Sequence, residues 1–311
     1  MPKSAWIFPG QGSQYVGMGK DLVEAHPSAR ETFESANAIL GFDLAAICFN
    51  GPEEVLRETR YTQLAILVHS VAASRLLFGK VPSPAYVAGH SVGEYSALVA
   101  GGSLDFKDAL GLVKARAEAM YAAGLARPGA MAAVMGMPEE NLEPLLAAAR
   151  EAGVVAAANY NSPVQVVVSG EVPAVEEAVK ISSSFGAKRA VRLAVGGAFH
   201  SPLMKAAEEE LARALRAARF SRPAVPVVSN VVARAVVEPR EIAALLERQL
   251  TSPVLWQQSV RYMVGEGVTS FVEIGPGNVL CGLLKRTAPE AECASCADLK
   301  SLEAFLEGVR S

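Results

Sequence analysis

The chain has 311 residues, 51% of them apolar and 20% charged, with a formal net charge of −3. Such length and apolar content exclude a disulfide-stapled miniprotein and a disordered chain, and allow one large domain or a larger and a smaller one. The balance of 29 Lys and Arg against 32 Asp and Glu, with 6% aromatics, lacks both the basic excess and the stacking surface of a nucleic-acid binder.

In chain order, residues 5–8 predict a short buried strand ended by Pro9-Gly10. Apolar spacing predicts helices over 18–40, about 52–58 and 62–78, a strand over 85–89, and helices over 93–100 and 105–123. Strands alternating with helices imply an α/β fold with a mostly parallel sheet covered on both faces. The middle differs, with strand 130–135, helix 138–151, strand 154–159, a turn at Asn161-Ser162-Pro163, strand 164–169, helix 173–185 and strand 189–195. This β-α-β-β-α-β order is ferredoxin-like. It marks residues 128–196 as a small subdomain inserted in a core made of 1–127 and 197–311. The core pattern resumes with helix 202–218, strands near 225–229 and 233–237, helices 239–250 and 255–266, and strand 270–274. A Gly275-Pro276-Gly277 turn and helices 279–285 and 301–309 complete it.

Four cysteines, Cys48, Cys281, Cys293 and Cys296, are too few for a disulfide framework and suit a reducing compartment. Cys293 and Cys296 form a lone C-x-x-C, and the scattered histidines (His26, His69, His90, His200) supply no second ligand pair, so no metal site is expected. The opening segment has one lysine and a short apolar run, unlike a signal peptide. The most apolar helical stretch carries Gln63, His69 and Arg75 and does not cross a bilayer. A cytoplasmic protein is expected.

Gly89-His90-Ser91-Val92-Gly93 matches G-x-S-x-G and falls between a short apolar strand and a helix, where a nucleophile elbow belongs. The glycines leave room for a tight turn that projects the Ser91 hydroxyl in front of a helix N-terminus. The same pattern also suits a plain glycine-bracketed N-cap serine. A serine nucleophile needs a base. His26 precedes Pro27 at a helix end, His69 lies among apolar neighbours mid-helix, and His90 adjoins Ser91 and points away from it. His200, in a loop following the inserted subdomain, is the base by elimination.

Four segments together resemble the malonyl-CoA:acyl carrier protein transacylase family: 8–14 (Phe-Pro-Gly-Gln-Gly-Ser-Gln), 89–98 (Gly-His-Ser-Val-Gly-Glu-Tyr-Ser-Ala-Leu), 198–204 (Ala-Phe-His-Ser-Pro-Leu-Met) and 273–280 (Glu-Ile-Gly-Pro-Gly-Asn-Val-Leu). The likeness covers nearly the whole chain. It implies an α/β-hydrolase-like core with a ferredoxin-like subdomain, and malonyl transfer from malonyl-CoA to the phosphopantetheine thiol of acyl carrier protein in fatty acid biosynthesis. By position it implies Ser91 as nucleophile and His200 as general base. Backbone N–H groups of Gln11 and Val92 would form the oxyanion hole, and Arg116 would bind the malonyl carboxylate. Gln249 would orient the histidine through its carbonyl, and Asn161 would line the cleft. Val92, Leu64 and Val164 depart from the residues usual at those places.

Phe199, beside the base, is expected to crowd a 2-methyl branch and favour malonyl over methylmalonyl. Carrier proteins are generally acidic, and Lys188, Arg189, Arg192, Lys285 and Arg286 are candidates for a basic rim. No metal, nucleotide or redox cofactor, nucleic acid or membrane partner is expected, and the chain is expected to act as a monomer. A serine hydrolase, a silent carrier-docking scaffold, and the same transfer serving polyketide synthesis are the competing readings.

Overall fold

The computed structural model describes residues 3–310; Met1, Pro2 and Ser311, which end the two core segments, lie outside the described residues. The core opens with β1 (Lys3–Phe8), followed by α1 (Lys20–Ala25), α2 (Pro27–Leu40), α3 (Leu44–Asn50), α4 (Glu53–Arg57) and α5 (Thr59–Leu77). Next come β2 (Tyr86–Gly89), α6 (Gly93–Ala100) and α7 (Phe106–Ala126). The middle section holds β3 (Gly129–Met135), α8 (Leu142–Ala149), β4 (Val155–Ser162), β5 (Gln165–Glu171), α9 (Val172–Ile181) and β6 (Arg189–Arg192). The chain then continues through α10 (Lys205–Ala217), β7 (Val227–Val228), β8 (Ala235–Val236), α11 (Pro239–Gln249) and α12 (Trp256–Gly265). It ends with β9 (Val268–Ile274), α13 (Val279–Thr287), β10 (Glu292–Cys296) and α14 (Leu299–Arg310).

The larger sheet has the order β10-β9-β1-β2-β7-β8 and is parallel except for the β7–β8 pair. Successive side chains on a strand face opposite ways. Thus Trp6 and Phe8 enter one apolar cluster with α2, α5 and α7, while Ala5 and Ile7 enter a second with α12 and α13. A strand buried on both faces reads as a continuous apolar run, which is why β1 is legible as Ala-Trp-Ile-Phe.

The smaller sheet is antiparallel, with order β4-β5-β3-β6, the arrangement of a ferredoxin-like unit. One face packs on α8 and α9 through Ala130, Ala132, Val134, Leu145 and Val175. Met131, Ala133 and Val167, on the other face, join the main core cluster. Strand β4 is pinned to the core by hydrogen bonds from Tyr160 N to Val254 O (2.9 Å) and from Val254 N to Ala158 O (2.8 Å).

Some expected elements change. The helix expected over 18–40 breaks at His26-Pro27, because proline lacks the N–H that would continue it. Helix α3, capped by Asp43 accepting from Ala46 N at 2.9 Å, and strand β10 were not anticipated. Strand β4 runs to Ser162, so Asn161 stands on a strand rather than in a turn.

The cysteines also require correction. Cys281 on α13 is disulfide-bonded to Cys293 on β10, with Cα atoms 5.6 Å apart, while Cys296 is free and buried. Residues three apart on a strand face opposite sides. Cys293 therefore packs against the second cluster and Cys296 lies in the first, so the C-x-x-C is not a unit.

Two glycines fix how β2 turns into α6. A Cβ on Gly93 would stand 2.2 Å from Phe8 O, and one on Gly89 would stand 1.9 Å from Gly93 C. Gly93→Ala should therefore lower stability by about 1–3 kcal/mol, the range for overpacking a filled site. Gly111→Ala, on an exposed face of α7 with nothing within 4 Å, should raise it by about 0.5–1 kcal/mol. Thermal or denaturant unfolding of the two variants measures both; equal effects would contradict this account of the elbow.

Candidate active site

Ser91 lies two residues past the end of β2 and holds φ at +55°, a strained value for a residue with a side chain. The strain is held by Asn230, just beyond β7. Ser91 N donates to Asn230 Oδ1 (2.7 Å) and Asn230 Nδ2 donates to Gly89 O (2.6 Å), so one amide grips both sides of the turn.

The hydroxyl lies where two further groups converge. Ser91 Oγ is 2.7 Å from His200 Nε2, and Arg116 Nη2 donates to it at 3.0 Å. His200 also has positive φ, +57°. Its Nδ1 is 2.9 Å from the backbone oxygen of Gln249. A carbonyl only accepts, so Nδ1 carries the proton and Nε2 presents a lone pair to the serine hydroxyl. Burial, reinforced by the Arg116 charge, pushes the His200 pKa down to about 3. The imidazole is thus neutral and ready to accept a proton.

Arg116, on α7, is only 1% exposed. Its Nη2 also donates to Gln249 Oε1 (3.0 Å), its Nη1 donates to Gln63 Oε1, and its guanidinium lies 5.8 Å from the Tyr95 ring centre. These partners are neutral acceptors and an aromatic face. Burial lowers the Arg116 pKa. Gln249 is the joint of the cluster. Besides its two oxygens on Arg116 and His200, its Nε2 donates to Ser91 O (3.1 Å) and to Glu94 Oε2 (2.7 Å). Glu94 Oε2 also accepts from Asn230 N at 3.2 Å.

In front of this cluster lies a chamber of about 90 Å³ bounded by Gln63, Met120, Met131 and Phe199 as well as the reactive groups. Gln11 and Val92 are part of its wall. It opens into a cleft of about 490 Å³ between the two sheets' units, along the 10–14 loop, Asn161, Gln165 and Leu283. His90 turns away from Ser91, with Nε2 2.8 Å from Asn161 Oδ1 and its ring against Trp256. His69 is buried in the core, and burial depresses its pKa to about 4.

Ser91, His200, Arg116 and Gln249 thus make one hydrogen-bonded cluster; Gln11, Val92 and Phe199 border the chamber, and Asn161 faces the cleft. Gln63, Glu94 and Asn230 carry no mark in the sequence that sets them apart. Glu94 stands next to the elbow glycine in the 89–98 segment, but nothing there points to the cluster around the buried Arg116. Of the expected basic rim, Lys188 and Arg189 are exposed on the small unit, Arg192 pairs with Glu176 at 2.8 Å, and Arg286 reaches Gln165 at 3.4 Å on the cleft edge. Among the described residues, no group of three or more His, Cys, Asp or Glu side chains could hold a metal ion, and no helix is long and apolar enough to cross a membrane.

The acyl transferase domain model matches residues 5–303. The malonyl CoA-acyl carrier protein transacylase of Bacillus subtilis is 42% identical over 100% of this chain and 98% of its own length. Its Escherichia coli counterpart is 43% identical over 99% and 100%. Among solved structures, the malonyl-CoA:acyl carrier protein transacylase of Xanthomonas oryzae superposes with a TM-score of 0.95 at 41% identity, covering 99% of this chain and 98% of that one. A malonyl-transacylase solved in complex with its type II polyketide acyl-carrier protein gives 0.95 at 42% identity, covering 98% and 99%. A strained serine set against a neutral imidazole and a buried guanidinium, in a chain matched end to end by these proteins, belongs to the acyl transferase domain family.

Proposed function

We propose that this protein transfers a malonyl group from malonyl-CoA to the phosphopantetheine thiol of an acyl carrier protein, through an acyl-serine, in cytoplasmic fatty acid biosynthesis. The observation that carries the reading is the Arg116 guanidinium donating to the same Ser91 oxygen that faces His200 Nε2. Such a fork receives a carboxylate through two parallel hydrogen bonds. Held beside the nucleophile, it suits a short acyl chain ending in a carboxylate.

In the first half-reaction Ser91 Oγ attacks the thioester carbon while His200 Nε2 takes its proton. The backbone N–H groups of Gln11 and Val92 receive the oxyanion, each donor worth about 3 kcal/mol. The tetrahedral adduct collapses, the carbon–sulfur bond breaks, and His200 returns the proton to the coenzyme A thiolate. In the second half-reaction His200 deprotonates the carrier's thiol, which attacks the acyl-serine; the bond from the acyl carbon to Ser91 Oγ breaks, His200 returns the proton to Oγ, and malonyl-carrier protein leaves. The Gln249 carbonyl holds the His200 tautomer through both halves, in the place an aspartate takes in other serine enzymes. No metal or redox group enters these steps.

Residues 128–196 are proposed to serve as the lid-side unit of the cleft, contributing Asn161 to the path of the pantetheine arm. Exposed Lys188, Arg189, Lys285 and Arg286 are proposed as the rim meeting an acidic carrier. The protein is proposed to act as a monomer.

Incubation with malonyl-CoA should leave one malonyl adduct on the Ser91 peptide, detected by mass spectrometry and absent in Ser91→Ala; an adduct elsewhere would contradict the assignment. Arg116→Ala should reduce malonyl transfer by about 2–5 kcal/mol in kcat/KM, as for truncation of one partner of a buried charge pair, and reduce acetyl transfer far less. Equal losses would remove its role.

Phe199→Ala should improve methylmalonyl relative to malonyl turnover by about 1–3 kcal/mol. An unchanged ratio would show that Phe199 only fills the wall. With its pKa held near 3, His200 stays unprotonated as pH falls through the ordinary histidine value of 6.5. Acylation by acetyl-CoA should therefore stay flat between about pH 5.5 and 8 in single-turnover measurements. A fall centred near 6.5 would mean an imidazole far better solvated than the one described.

A further inference from the structure

The mechanism leaves the buried carboxyl group nearest Arg116, that of Glu94, without a task. Glu94 is 3% exposed and forms no ion pair; its nearest cation is Arg116, with the Gln249 amide bridging the two. The bridge is directional. Gln249 Nε2 gives its hydrogen to Glu94 Oε2, and Gln249 Oε1 takes one from Arg116 Nη2. The amide dipole therefore points its negative end at the cation and its positive end at the carboxylate.

With Glu94 ionised, this buried region holds one cation and one anion and is neutral. A malonyl carboxylate docked on Arg116 would leave two anions sharing one cation in a space poorly screened by water. Buried groups avoid that state by binding a proton. Resting on the reading of Arg116 as the malonyl-carboxylate ligand, we propose that Glu94 is the proton-linked partner of the acyl site: ionised in the free enzyme at mildly alkaline pH, it takes up a proton from solvent when a malonyl carboxylate occupies Arg116. Above neutral pH, acylation by malonyl-CoA then consumes close to one proton that acylation by acetyl-CoA does not. The serine proton goes to the coenzyme A thiol in both cases, so the balance differs only by the proton on Glu94.

The surroundings can hold that proton. The Ser229 hydroxyl lies near enough to the Glu94 carboxyl to lower its pKa, and a hydroxyl accepts as readily as it donates. Asn230 N and Gln249 Nε2 both donate to the same oxygen, Oε2, leaving Oε1 for the proton. Burial has already raised the Glu94 pKa to about 7, against the lowering effect of its hydrogen bonds and of Arg116. Neutralising Arg116 with a substrate anion removes part of that lowering and drives the group further toward its protonated form. The titratable and charged groups around it are Tyr95 on its own helix, Arg116 on α7, and His200 beyond Gln249. The Tyr95 hydroxyl is pushed up by burial and stays neutral throughout.

Linkage fixes the sign. A step that takes up a proton is favoured at low pH and weakens as pH rises above the pKa of the free group. The ratio of malonyl to acetyl acylation of Ser91 should therefore fall about ten-fold between pH 6.5 and 8.5. Coenzyme A ionisations and common histidine effects cancel in this ratio. Glu94→Gln keeps an acceptor for Asn230 and Gln249 but holds no titrating charge, and its ratio should be flat across the same range. An indicator dye in weak buffer at pH 8 should record close to one more proton taken up per malonyl-enzyme than per acetyl-enzyme, and no such difference in Glu94→Gln.

A flat ratio in the unsubstituted protein, or no extra proton on malonylation, overturns the proposal. A slope that persists in Glu94→Gln does the same and moves the titration to His200. If Glu94→Gln does not fold, the proton count on the unsubstituted protein decides alone. Should no malonyl adduct form on Ser91, it is the functional reading that fails; an adduct without proton uptake removes Glu94 alone.

Discussion

Arg116 carries a positive charge into a space almost shut off from water, and the site is organised around holding it there. Removing such a group from water costs several kcal/mol even after relaxation. The return comes from hydrogen bonds to Gln63, Gln249 and Ser91, each charge-assisted bond contributing about 1.5–3 kcal/mol, and from the Tyr95 face. Because the direct partners are neutral, the cation is fixed in place but not cancelled. Such a preformed, water-poor fork suits a carboxylate far better than an uncharged acyl group.

The rest of the architecture keeps that fork, the Ser91 hydroxyl and the His200 imidazole within a few ångströms. The elements involved are far apart in sequence: the β2–α6 elbow, α7, the loop before α10, the residues after β7 and the end of α11. Two amides do most of the joining. Asn230 locks the strained elbow, and Gln249 touches the base, the guanidinium, the serine backbone and Glu94 at once. Positive φ at both Ser91 and His200 is tolerated because these bonds over-determine the two positions. The disulfide between α13 and β10 involves none of these residues.

Much of this was legible locally. The elbow could be read because close backbone approach demands glycine at 89 and 93, and β1 could be read because a doubly buried strand is apolar without interruption. The ferredoxin-like order of strands followed from alternating short patterns. His200 emerged by elimination, since the other histidines had plainer explanations. Arg116 could not be read from its residues at all: an arginine on a helix looks like a solvated face, and only the family resemblance singled it out. Gln63, Glu94 and Asn230 were hidden for the same reason. Their roles come from partners up to 155 residues away, and nothing in the neighbouring sequence reports such contacts. Strand β10 and helix α3 escaped because short elements show too few turns of periodicity, and the Cys281–Cys293 pairing because it is a matter of which strand face each thiol occupies.

The central claim is that the substrate's free carboxylate is received by Arg116 while Gln63 and Gln249 continue to hold it. A crystal structure of the protein trapped with malonyl on Ser91 tests this directly. The account predicts the distal carboxylate within hydrogen-bond distance of both guanidinium nitrogens Nη1 and Nη2, with the Gln249 side chain still between Arg116 and Glu94. A malonyl carboxylate turned toward the open cleft, with Arg116 bonded only to protein groups, would contradict it.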